Sequence, residues 1–576
     1  MFRLAKYLKR YKKQTIIGPI FKLLEAIFEL IVPLVMAHII DKGIGNRDIS
    51  YVIKMGGLMV GLGIFGYCFA LVCQYVASVA SQGFGTILRK ELFSHINKLS
   101  YKELDAIGSN SLITRITNDV NQMQLAVAML IRLVVRAPFL VIGSAVMAMM
   151  LDLKLSIIFF AVMPLVILVI YLVMGNSIPF YKARQSKLDK VSLITRENLE
   201  GVRVIRAFSK EKKEQERFSQ ASEEVTEIAE KVGKISAILS PATFTILNIA
   251  IIAILWFGGY QVQGGTLSQG QVIAFISYMT QISLALVVVA NLVILFTKAS
   301  ASASRINEVL DIVPTIIEGE KEIEIKNSEY QISLKNVYFS YAGAKSYALE
   351  DISLQVKKGE TIGIIGGTGS GKTTLVNLLP RFYDVAKGAV LYEGIDVKEL
   401  KMQCLSSQFG IVPQKAVLFK GTIRENMRWQ KADASDEEIW EALTISQAWE
   451  FVKQLPAGLD TKIQQGGRNL SGGQRQRLTI ARALVSRPPV LILDDSASAL
   501  DYATDAKLRL AIRTSFDTQT VFLVSQRTNS IRYADKILVL ADGCIAGIGN
   551  HEELFEQCGV YREIVLSQLS AEEVKN

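Results

Sequence analysis

Six apolar segments constrain the first part of this chain most strongly. They lie at about residues 15–40, 55–80, 125–150, 154–177, 236–260 and 271–297, and each approaches the roughly 20 apolar residues that an α-helix needs to cross a bilayer. Of the 576 residues, 50% are hydrophobic, which is too apolar for an ordinary soluble protein, and the length exceeds that of one domain. The sequence therefore predicts a membrane domain of six spanning helices and at least one further domain.

Basic residues concentrate on one side of the predicted spans. They precede the first span and fill the connections after the second and the fourth, whereas the short connection QVQGGTLSQG at 261–270 carries no charge. Because Lys and Arg are enriched in cytoplasmic connections, the basic side is predicted to be cytoplasmic, and the protein to be a multi-pass protein of the cell membrane in contact with lipids. The net charge of +10 follows from this arrangement, so nucleic acid is not an expected partner.

Helical segments are also predicted outside the bilayer. The two long cytoplasmic connections have helical patterns and are too long for simple loops, so each pair of spans is expected to continue as a rod below the membrane. Residues 2–14 are basic, with Leu4, Tyr7, Leu8 and Tyr11 at helical spacing. This pattern predicts a helix that lies on the membrane surface.

Several charged residues fall inside predicted spans. Glu25 and Glu29 lie in the first span, and Arg132 and Arg136 lie in the third. Each pair is four residues apart and therefore lies on one face of its helix. Because charges in a bilayer are costly unless they face a cavity or one another, two interpretations stand: a polar translocation cavity, or pairing between helices or near the interface.

A glycine-rich loop in the C-terminal part follows a short apolar strand at residues 361–365. Gly366-Gly367-Thr368-Gly369-Ser370-Gly371-Lys372-Thr373 has the spacing of a phosphate-binding loop, G-x-x-x-x-G-K-[ST]. The glycines let backbone N–H groups approach phosphates, Lys372 reaches the terminal phosphates, and a helix that starts near Lys372 directs its positive end at the anion. Thr373 is the magnesium ligand of this pattern, and Thr374 completes the predicted nucleotide contacts.

A second buried strand, residues 490–493, ends in two carboxylates, Asp494 and Asp495. Parallel strands deliver the groups that follow them to the carboxyl edge of a sheet. An acid at that edge can hold a magnesium ion, and we assign this role to Asp494. Together, the loop and the strand predict an α/β nucleotide-binding domain.

Leu470-Ser471-Gly472-Gly473-Gln474 resembles the signature sequence of ATP-binding cassette (ABC) proteins, and residues 490–494 resemble their Walker B strand. The resemblance covers the whole chain, and the order, membrane domain first, is similar to that of bacterial ABC exporters. It implies ATP-driven export with ATP and Mg²⁺ as cofactors. The implied fold is an all-α six-helix transmembrane domain at 1–314, a linker at 315–329, and an α/β P-loop ABC nucleotide-binding domain at 330–576.

The resemblance also implies roles for single residues. Tyr341 would stack on adenine, and Gln414 would contact magnesium and the attacking water. Because two cassettes pair head to tail in this family, the signature residues of one subunit complete the ATP site of the other, and the loop 496–501 crosses to the partner. These signature residues are Ser471, Gly472, Gly473 and Gln474.

Two cytoplasmic stretches resemble the coupling regions of ABC exporters. They lie at 110–115, in the connection after the second span, and at 196–203, in the connection after the fourth. In exporters such regions contact the ATPase domains. An ordinary solvated helical tip is the alternative interpretation of each stretch.

Two positions depart from the pattern of active family members. Asp495 stands where a glutamate polarises the attacking water, and Gln526, after the strand at 520–525, stands where a histidine approaches the γ-phosphate. Aspartate reaches about 1.5 Å less far, and a displacement near 1 Å can cost on the order of a hundredfold in rate. Glutamine carries no positive charge. Asp495, Gln526 and Gln414 are therefore the catalytic candidates of a weakened site.

The intact signature beside a weakened site resembles the division found in bacterial heterodimeric ABC exporters. It implies a second half-transporter subunit as partner, whose ATP site this signature completes. A homodimer with two slow sites and a nucleotide-binding regulatory subunit stand as alternatives. The pattern does not choose among a small molecule, a lipid and a peptide as the exported substrate.

Overall fold

The computed structural model describes residues 2–323, 328–515 and 518–568. The chain forms two compact units. The membrane unit comprises Met1–Asn97 and Asn110–Asp311, and the nucleotide unit comprises Lys98–Ser109 and Ile312–Asn576. Residues 324–327 of the predicted linker lie outside the described residues, as do 516–517 and 569–576 of the predicted nucleotide-binding domain.

The part of the chain up to residue 310 is helical. Its α-helices are α1 (Lys12–His38), α2 (Ile49–Ile96), α3 (Tyr101–Ile107), α4 (Ser109–Thr114), α5 (Val120–Met129), α6 (Arg136–Leu151), α7 (Leu153–Glu200), α8 (Val202–Ala207), α9 (Glu211–Ala237), α10 (Leu239–Gln263) and α11 (Gln269–Leu310). A 3₁₀ helix, Phe2–Tyr11, precedes α1. π-Helical turns occupy Ile39–Ile44, Arg115–Asp119 and Leu130–Val134.

Six helical stretches of the described chain are long and apolar enough to cross a membrane, which confirms the predicted number of spans. They are Arg3–Ile44, Ile49–Ile96, Ser109–Leu151, Leu153–Glu200, Glu211–Gln263 and Gln269–Leu310. The N-terminal segment predicted to lie on the membrane surface is helical and runs directly into α1 at Lys12. Its position at the interface stays a prediction.

Two helices extend far beyond the thickness of a bilayer, as the sequence predicts. Helices α2 and α7 contain 48 residues each, which corresponds to about 72 Å against a hydrocarbon core of about 30 Å. Both begin at aspartate caps: Asp48 accepts a hydrogen bond from the backbone N of Tyr51 at 3.0 Å, and Asp152 accepts one from Leu155 at 2.7 Å. Asp152 alone separates α6 from α7, so the chain reverses there within one residue.

Glu25, Glu29 and Arg136 inside the spans form specific ion pairs. Arg136 Nη2 lies 2.6 Å from Glu29 Oε2 and joins α6 to α1. Glu25 pairs within its own helix, with Lys22 Nζ at 2.6 Å. The interpretation of pairing between helices therefore holds for Glu29 and Arg136, whereas Glu25 uses a partner on the same helix.

The nucleotide unit contains twelve strands in its described residues. They are β1 (Ile332–Phe339), β2 (Leu349–Val356), β3 (Thr361–Gly366), β4 (Lys387–Tyr392), β5 (Ile395–Asp396), β6 (Phe409–Val412), β7 (Gly421–Thr422), β8 (Lys462–Ile463), β9 (Val490–Asp494), β10 (Thr520–Val524), β11 (Lys536–Ala541) and β12 (Cys544–Gly549). The larger sheet has the order β12-β11-β3-β10-β9-β6 and is parallel except for the pair β11–β12. An antiparallel sheet has the order β2-β1-β4-β5, and β7 pairs with β8.

Helices cover the sheets and connect the strands. They are α12 (Lys372–Leu378), α13 (Met402–Ser407), α14 (Ile423–Met427), α15 (Asp436–Ile445), α16 (Trp449–Gln454), α17 (Gly472–Leu484), α18 (Tyr502–Ser515), α19 (Thr528–Ile531), α20 (His551–Gln557) and α21 (Gly559–Gln568). Short 3₁₀ turns lie at Gly458–Asp460 and Gln465–Gly467.

Strand β9 is buried on both faces, which explains why its sequence is apolar throughout and does not alternate with polar residues. Leu491 and Leu493 belong to one apolar cluster, whereas Val490 and Ile492 belong to the other. Successive side chains of a strand point to opposite faces, and a parallel strand covered on both faces is buried throughout. The confirmed fold class is six apolar helices fused to an α/β nucleotide-binding domain.

We expect Glu29→Gln to lower the thermal stability of the purified chain, because Arg136 then keeps a charge in the membrane region without its counter-charge. The expected loss is about 1–2 kcal/mol, near the upper end for polar contacts in membrane proteins. The double variant Glu29→Leu with Arg136→Met should recover most of it. Thermal melting in detergent measures this, with Glu216→Gln on the exposed face of α9 as the control. An unchanged melting temperature for Glu29→Gln would contradict the pairing.

Candidate functional site

Glycines shape the loop between β3 and α12. Gly371 has φ 97° and caps α12, a left-handed conformation that side chains other than glycine rarely adopt. A Cβ at Gly366 would lie 2.1 Å from the carbonyl oxygen of Leu540. The loop therefore needs glycine both for its backbone turn and for its close approach to β11.

The predicted nucleotide residues from five parts of the chain meet around one cavity of about 360 Å³. Its lining comes from the loop after β3, from the end of β9, from the segment after β10, and from Tyr341 and Gln414. The lining residues are Tyr341, Ala348, Thr368, Gly369, Gly371, Lys372, Thr373, Thr374, Gln414, Asp494, Asp495, Val524, Ser525 and Gln526. Gly366 ends β3, Gly367 and Ser370 lie in the loop that follows it, and all three contact Lys372 Nζ.

Lys372 is held across its own loop. Its Nζ donates to the carbonyl oxygens of Gly366 at 2.9 Å and Gly367 at 2.7 Å. Burial lowers the pKa of Lys372, and the carboxylates of Asp495 and Asp494 oppose this shift. The ammonium group is therefore held at the cavity, and the nearby carboxylates do not fully offset the cost of burying its charge. An anionic ligand would stabilise that charge.

Thr373 and Asp494 form a pair of hard oxygen donors. Thr373 Oγ1 donates to Asp494 Oδ1 at 3.1 Å. Burial raises the pKa of Asp494, against the hydrogen bond from Thr373, so a cation beside the carboxylate would stabilise its charged form. One carboxylate and one hydroxyl, completed by phosphate oxygens and water, are the ligands that Mg²⁺ uses in phosphate sites. The residues present therefore fit Mg²⁺.

Asp495 sits next to this pair in a left-handed backbone conformation, with φ 46°. Gln414 Nε2 donates to Asp495 Oδ2 at 3.5 Å. Burial raises the pKa of Asp495, while Gln414, Lys372 and Arg527 lower it. The structure thus places the carboxylate and the glutamine that the sequence singled out as catalytic candidates within reach of each other.

Gln526 follows β10 and lines the same cavity with an exposed side chain. The parallel register explains this position, because Val524 pairs with Asp494 on β9 and with Ile364 on β3. The segments after β3, β9 and β10 must therefore leave the sheet at one edge.

Tyr341 lies at another side of the cavity and is 39% exposed. Its hydroxyl hydrogen-bonds Thr374 Oγ1 at 2.9 Å. Its ring centroid lies 5.6 Å from that of Tyr383, with an edge-on orientation. An aromatic ring that borders the cavity can stack on a nucleobase, which is the role predicted for Tyr341.

The signature residues lie apart from this cavity. Ser471 and Gly472 are exposed, and Ser471 caps α17: Gln474 N donates to Ser471 Oγ at 3.3 Å, while Ser471 N donates to Gln474 Oε1 at 2.9 Å. This reciprocal capping box fixes the N-terminus of a 13-residue helix. None of Ser471, Gly472, Gly473 and Gln474 lines the cavity formed by the loop after β3.

The structure packs the segment just before the predicted first coupling region into the nucleotide unit, and the coupling role of 110–115 itself stays a prediction. The segment Lys98–Ser109 packs in the nucleotide unit, whereas Asn110–Asp311 belongs to the membrane unit. Tyr101 on α3 contacts Phe382 with ring centroids 4.8 Å apart, and Tyr383 Oη donates to Asp105 Oδ2 at 2.7 Å. The contact depends on the aromatic and acidic residues of α3, which the stretch 110–115 lacks.

A local signal could have located α3. Ser100 and Glu103 have the spacing of a capping box, and both reciprocal hydrogen bonds are present. Thr315 adds a hydrogen bond to Glu103 Oε1 at 2.7 Å. The second predicted region, 196–203, covers the end of α7 and the start of α8, a short helix with no buried residue; its coupling role stays a prediction.

Comparison with known proteins gives two family matches. A family described as ABC transporter transmembrane region matches residues 15–286, and a family described as ABC transporter matches residues 349–498. An uncharacterized ABC transporter ATP-binding protein of Mycobacterium tuberculosis is 35% identical over 570 residues, 98% of this chain and 97% of the relative. An ATP-dependent lipid A-core flippase of Syntrophus aciditrophicus is 32% identical over 507 residues, 87% of this chain and 84% of the relative.

A solved structure shows the same fold. The structure of a bacterial Atm1-family ABC exporter with ATP bound superposes with a TM-score of 0.82 at 23% identity, and covers 97% of this chain and 98% of the other. At this level of identity, the likeness concerns the fold alone.

Replacing Lys372 by alanine should weaken ATP binding by the full chain about 10-fold to 100-fold, because a charge-assisted contact worth about 1.5–3 kcal/mol is lost. Lys358→Ala, which removes an exposed lysine of the turn before β3, should leave the affinity unchanged. Titration with a fluorescent ATP derivative measures both. Equal affinities for the Lys372 variant and the wild type would contradict the assignment of the phosphate site.

Proposed function

The chain belongs to the ABC transporter family, as a transmembrane region fused to an ATP-binding domain, and from this premise we propose that it is one half of a heterodimeric exporter. Its own ATP site is weak, and its signature completes the ATP site of a different half-transporter subunit. ATP binding and hydrolysis switch a shared export pathway between its inward and outward openings.

Two departures at one cavity carry this proposal. Asp495 and Gln526 line the same space as Lys372 and Asp494. Hydrolysis needs a water aligned with the γ-phosphate and a positioned base to take its proton. The shorter aspartate and the uncharged glutamine weaken two parts of that arrangement at once.

The weakness of Asp495 lies in its reach and not in its basicity. Burial raises the pKa of this carboxyl, and a higher pKa makes a carboxylate a better proton acceptor. Aspartate holds its oxygens about 1.5 Å closer to the backbone than glutamate does. A water in line with the phosphate would therefore lie too far from the base, which supports slow hydrolysis at this site.

The intact signature supports a role in the partner's site. The N-terminus of α17 is capped by Ser471 and open to solvent, so its N–H groups and positive dipole end are available to a phosphate. In the head-to-tail pairing of this family, that phosphate belongs to ATP held by the other subunit. The proposed pairing is heterodimeric because a chain with an intact signature and a weakened site of its own can complete a competent ATP site in a different subunit.

The residues of this chain would act on ATP as follows. Lys372 and the loop N–H groups hold the phosphates, Thr373 and Asp494 would hold Mg²⁺, and Tyr341 would stack on adenine. Bound Mg²⁺ would supply charge neutralisation at the phosphates. Gln414, which contacts Asp495 at 3.5 Å, would orient water at the same point.

We propose an amphipathic small molecule or lipid as the exported substrate, with a peptide as the alternative. A cavity of about 880 Å³ in the membrane unit has mainly apolar walls, including Leu130, Val134 and Phe296, together with the polar side chains of Thr297 and Ser300. A pocket of this kind suits apolar ligands that carry a few polar groups. The relative from Syntrophus aciditrophicus, a lipid A-core flippase, supports the lipid class.

Ser471→Arg should reduce ATP hydrolysis by the assembled complex at least about 100-fold, since it replaces a phosphate-binding hydroxyl by a bulky cation where transition-state charge must be stabilised. Ser406→Arg places the same substitution on the exposed face of α13 and should have little effect. Steady-state phosphate release measures both. A Ser471→Arg complex that keeps most of its activity would refute the role of this signature.

Asp495→Glu combined with Gln526→His should create hydrolysis at this chain's own site. The gain should be about 10²–10⁴-fold, the usual contribution of a positioned base, provided that the partner's signature is functional. Each single variant should gain far less, since both residues act on one geometry. The rate is measured in a complex whose partner lacks its own catalytic carboxylate. Full-rate hydrolysis before the substitutions are made would show that this site is not weak.

A further inference from the structure

The segment that carries Gln526 is short and lies at the edge of the nucleotide cavity. It leaves β10 after Val524 and enters α19 at Thr528. The side chain of Gln526 lines the cavity with Lys372 and Asp494. Its direction therefore depends on what holds the backbone between β10 and α19.

Gln568, the last residue of α21, holds this segment on both sides. Its Nε2 donates to the carbonyl oxygen of Gln526 at 2.6 Å. Its Oε1 accepts from the backbone N of Thr528 at 2.9 Å and from the Thr528 hydroxyl at 3.2 Å. One primary amide thus satisfies a carbonyl and an N–H that are two residues apart, as a neighbouring strand would do. A carboxylate in its place could not donate to Gln526.

Helix α21 is anchored so that it presents Gln568 to this segment. Tyr561 and Val565 are 0% and 1% exposed and belong to an apolar cluster of the nucleotide unit. The Tyr561 hydroxyl hydrogen-bonds His551 Nδ1 at 2.8 Å. Because residues 561, 565 and 568 follow an i, i+4, i+7 pattern, they lie on one face of the helix. The burial of Tyr561 and Val565 therefore fixes the position of the backbone from which the Gln568 side chain extends.

We infer that Gln568 is a positioning residue of the nucleotide site, which holds the backbone around Gln526 so that the side chain of residue 526 faces the terminal phosphate of bound ATP. This inference rests on the proposed function only in placing that phosphate beside Lys372 and Asp494. Gln568 is not part of the cavity lining and acts through Gln526. Removal of the Gln568 side chain therefore weakens the binding of ATP more than that of ADP, because ADP lacks the γ-phosphate.

The full chain in lipid nanodiscs tests this through the Kd of fluorescent ATP and ADP derivatives. Gln568→Ala should weaken ATP binding about 3-fold to 10-fold, the range of a lost hydrogen-bond contribution, and ADP binding by less than about twofold. Gln568→Glu keeps the size of the side chain but loses the donor, and it should give the same result. Gln557→Ala, which removes an exposed glutamine from α20, should leave both Kd values unchanged.

A double-mutant cycle separates positioning from a general structural role. In a Gln526→Ala background, Gln568→Ala should cause no further loss of ATP affinity, because the group that it positions is gone. An equal loss in both backgrounds, an equal loss for ATP and ADP, or an unchanged ATP affinity would overturn the inference. Since the assay measures binding by this chain alone, its failure would leave the proposed heterodimer and its weak hydrolysis standing.

Discussion

The nucleotide site depends on the parallel pairing of β3, β10 and β9. Their register sets Ile364, Val524 and Asp494 side by side, so the phosphate-binding loop, the segment of Gln526 and the two aspartates leave the sheet at one edge. Parallel strands bring functional groups together in this way because all their carboxyl ends point in the same direction. The two unusual residues, Asp495 and Gln526, follow neighbouring strands, and the weakening that we propose for this site is therefore local to one edge.

Side-chain contacts connect this edge of the sheet to α3. Lys372 is held by two backbone carbonyl oxygens, and its burial favours an anion as the missing partner. On the adenine side, Tyr383 contacts the Tyr341 ring at 5.6 Å and donates to Asp105 of α3 at 2.7 Å. Burial, together with Asp105, raises the pKa of Tyr383. One tyrosine therefore contacts both the predicted adenine platform and the cytoplasmic helix between the second and third spans.

Length and periodicity were sufficient to predict the six spans and the helices that extend beyond the bilayer, because both are local properties of the sequence. The phosphate-binding loop and Asp494 could be placed since each follows a recognisable buried strand. The partners of the charged residues could not be predicted from local sequence. Glu29 pairs with Arg136 on another helix, whereas Glu25, one turn away, pairs with Lys22 on its own helix. The contact of Tyr101 with Phe382 and the hold of Gln568 on Gln526 join residues more than forty positions apart. Sequence spacing does not encode such pairs.

We propose that this chain has a weak ATP site and needs a different subunit for rapid hydrolysis. The most direct measurement compares the steady-state ATPase rate of the purified chain alone, reconstituted in lipid, with that of the chain copurified with half-transporters encoded near it. We expect slow turnover or none by the chain alone and rapid turnover by one of the complexes, with ATP bound in both cases. Rapid hydrolysis by the chain alone, equal to that of the complexes, would contradict this proposal and would establish a homodimer with two active sites.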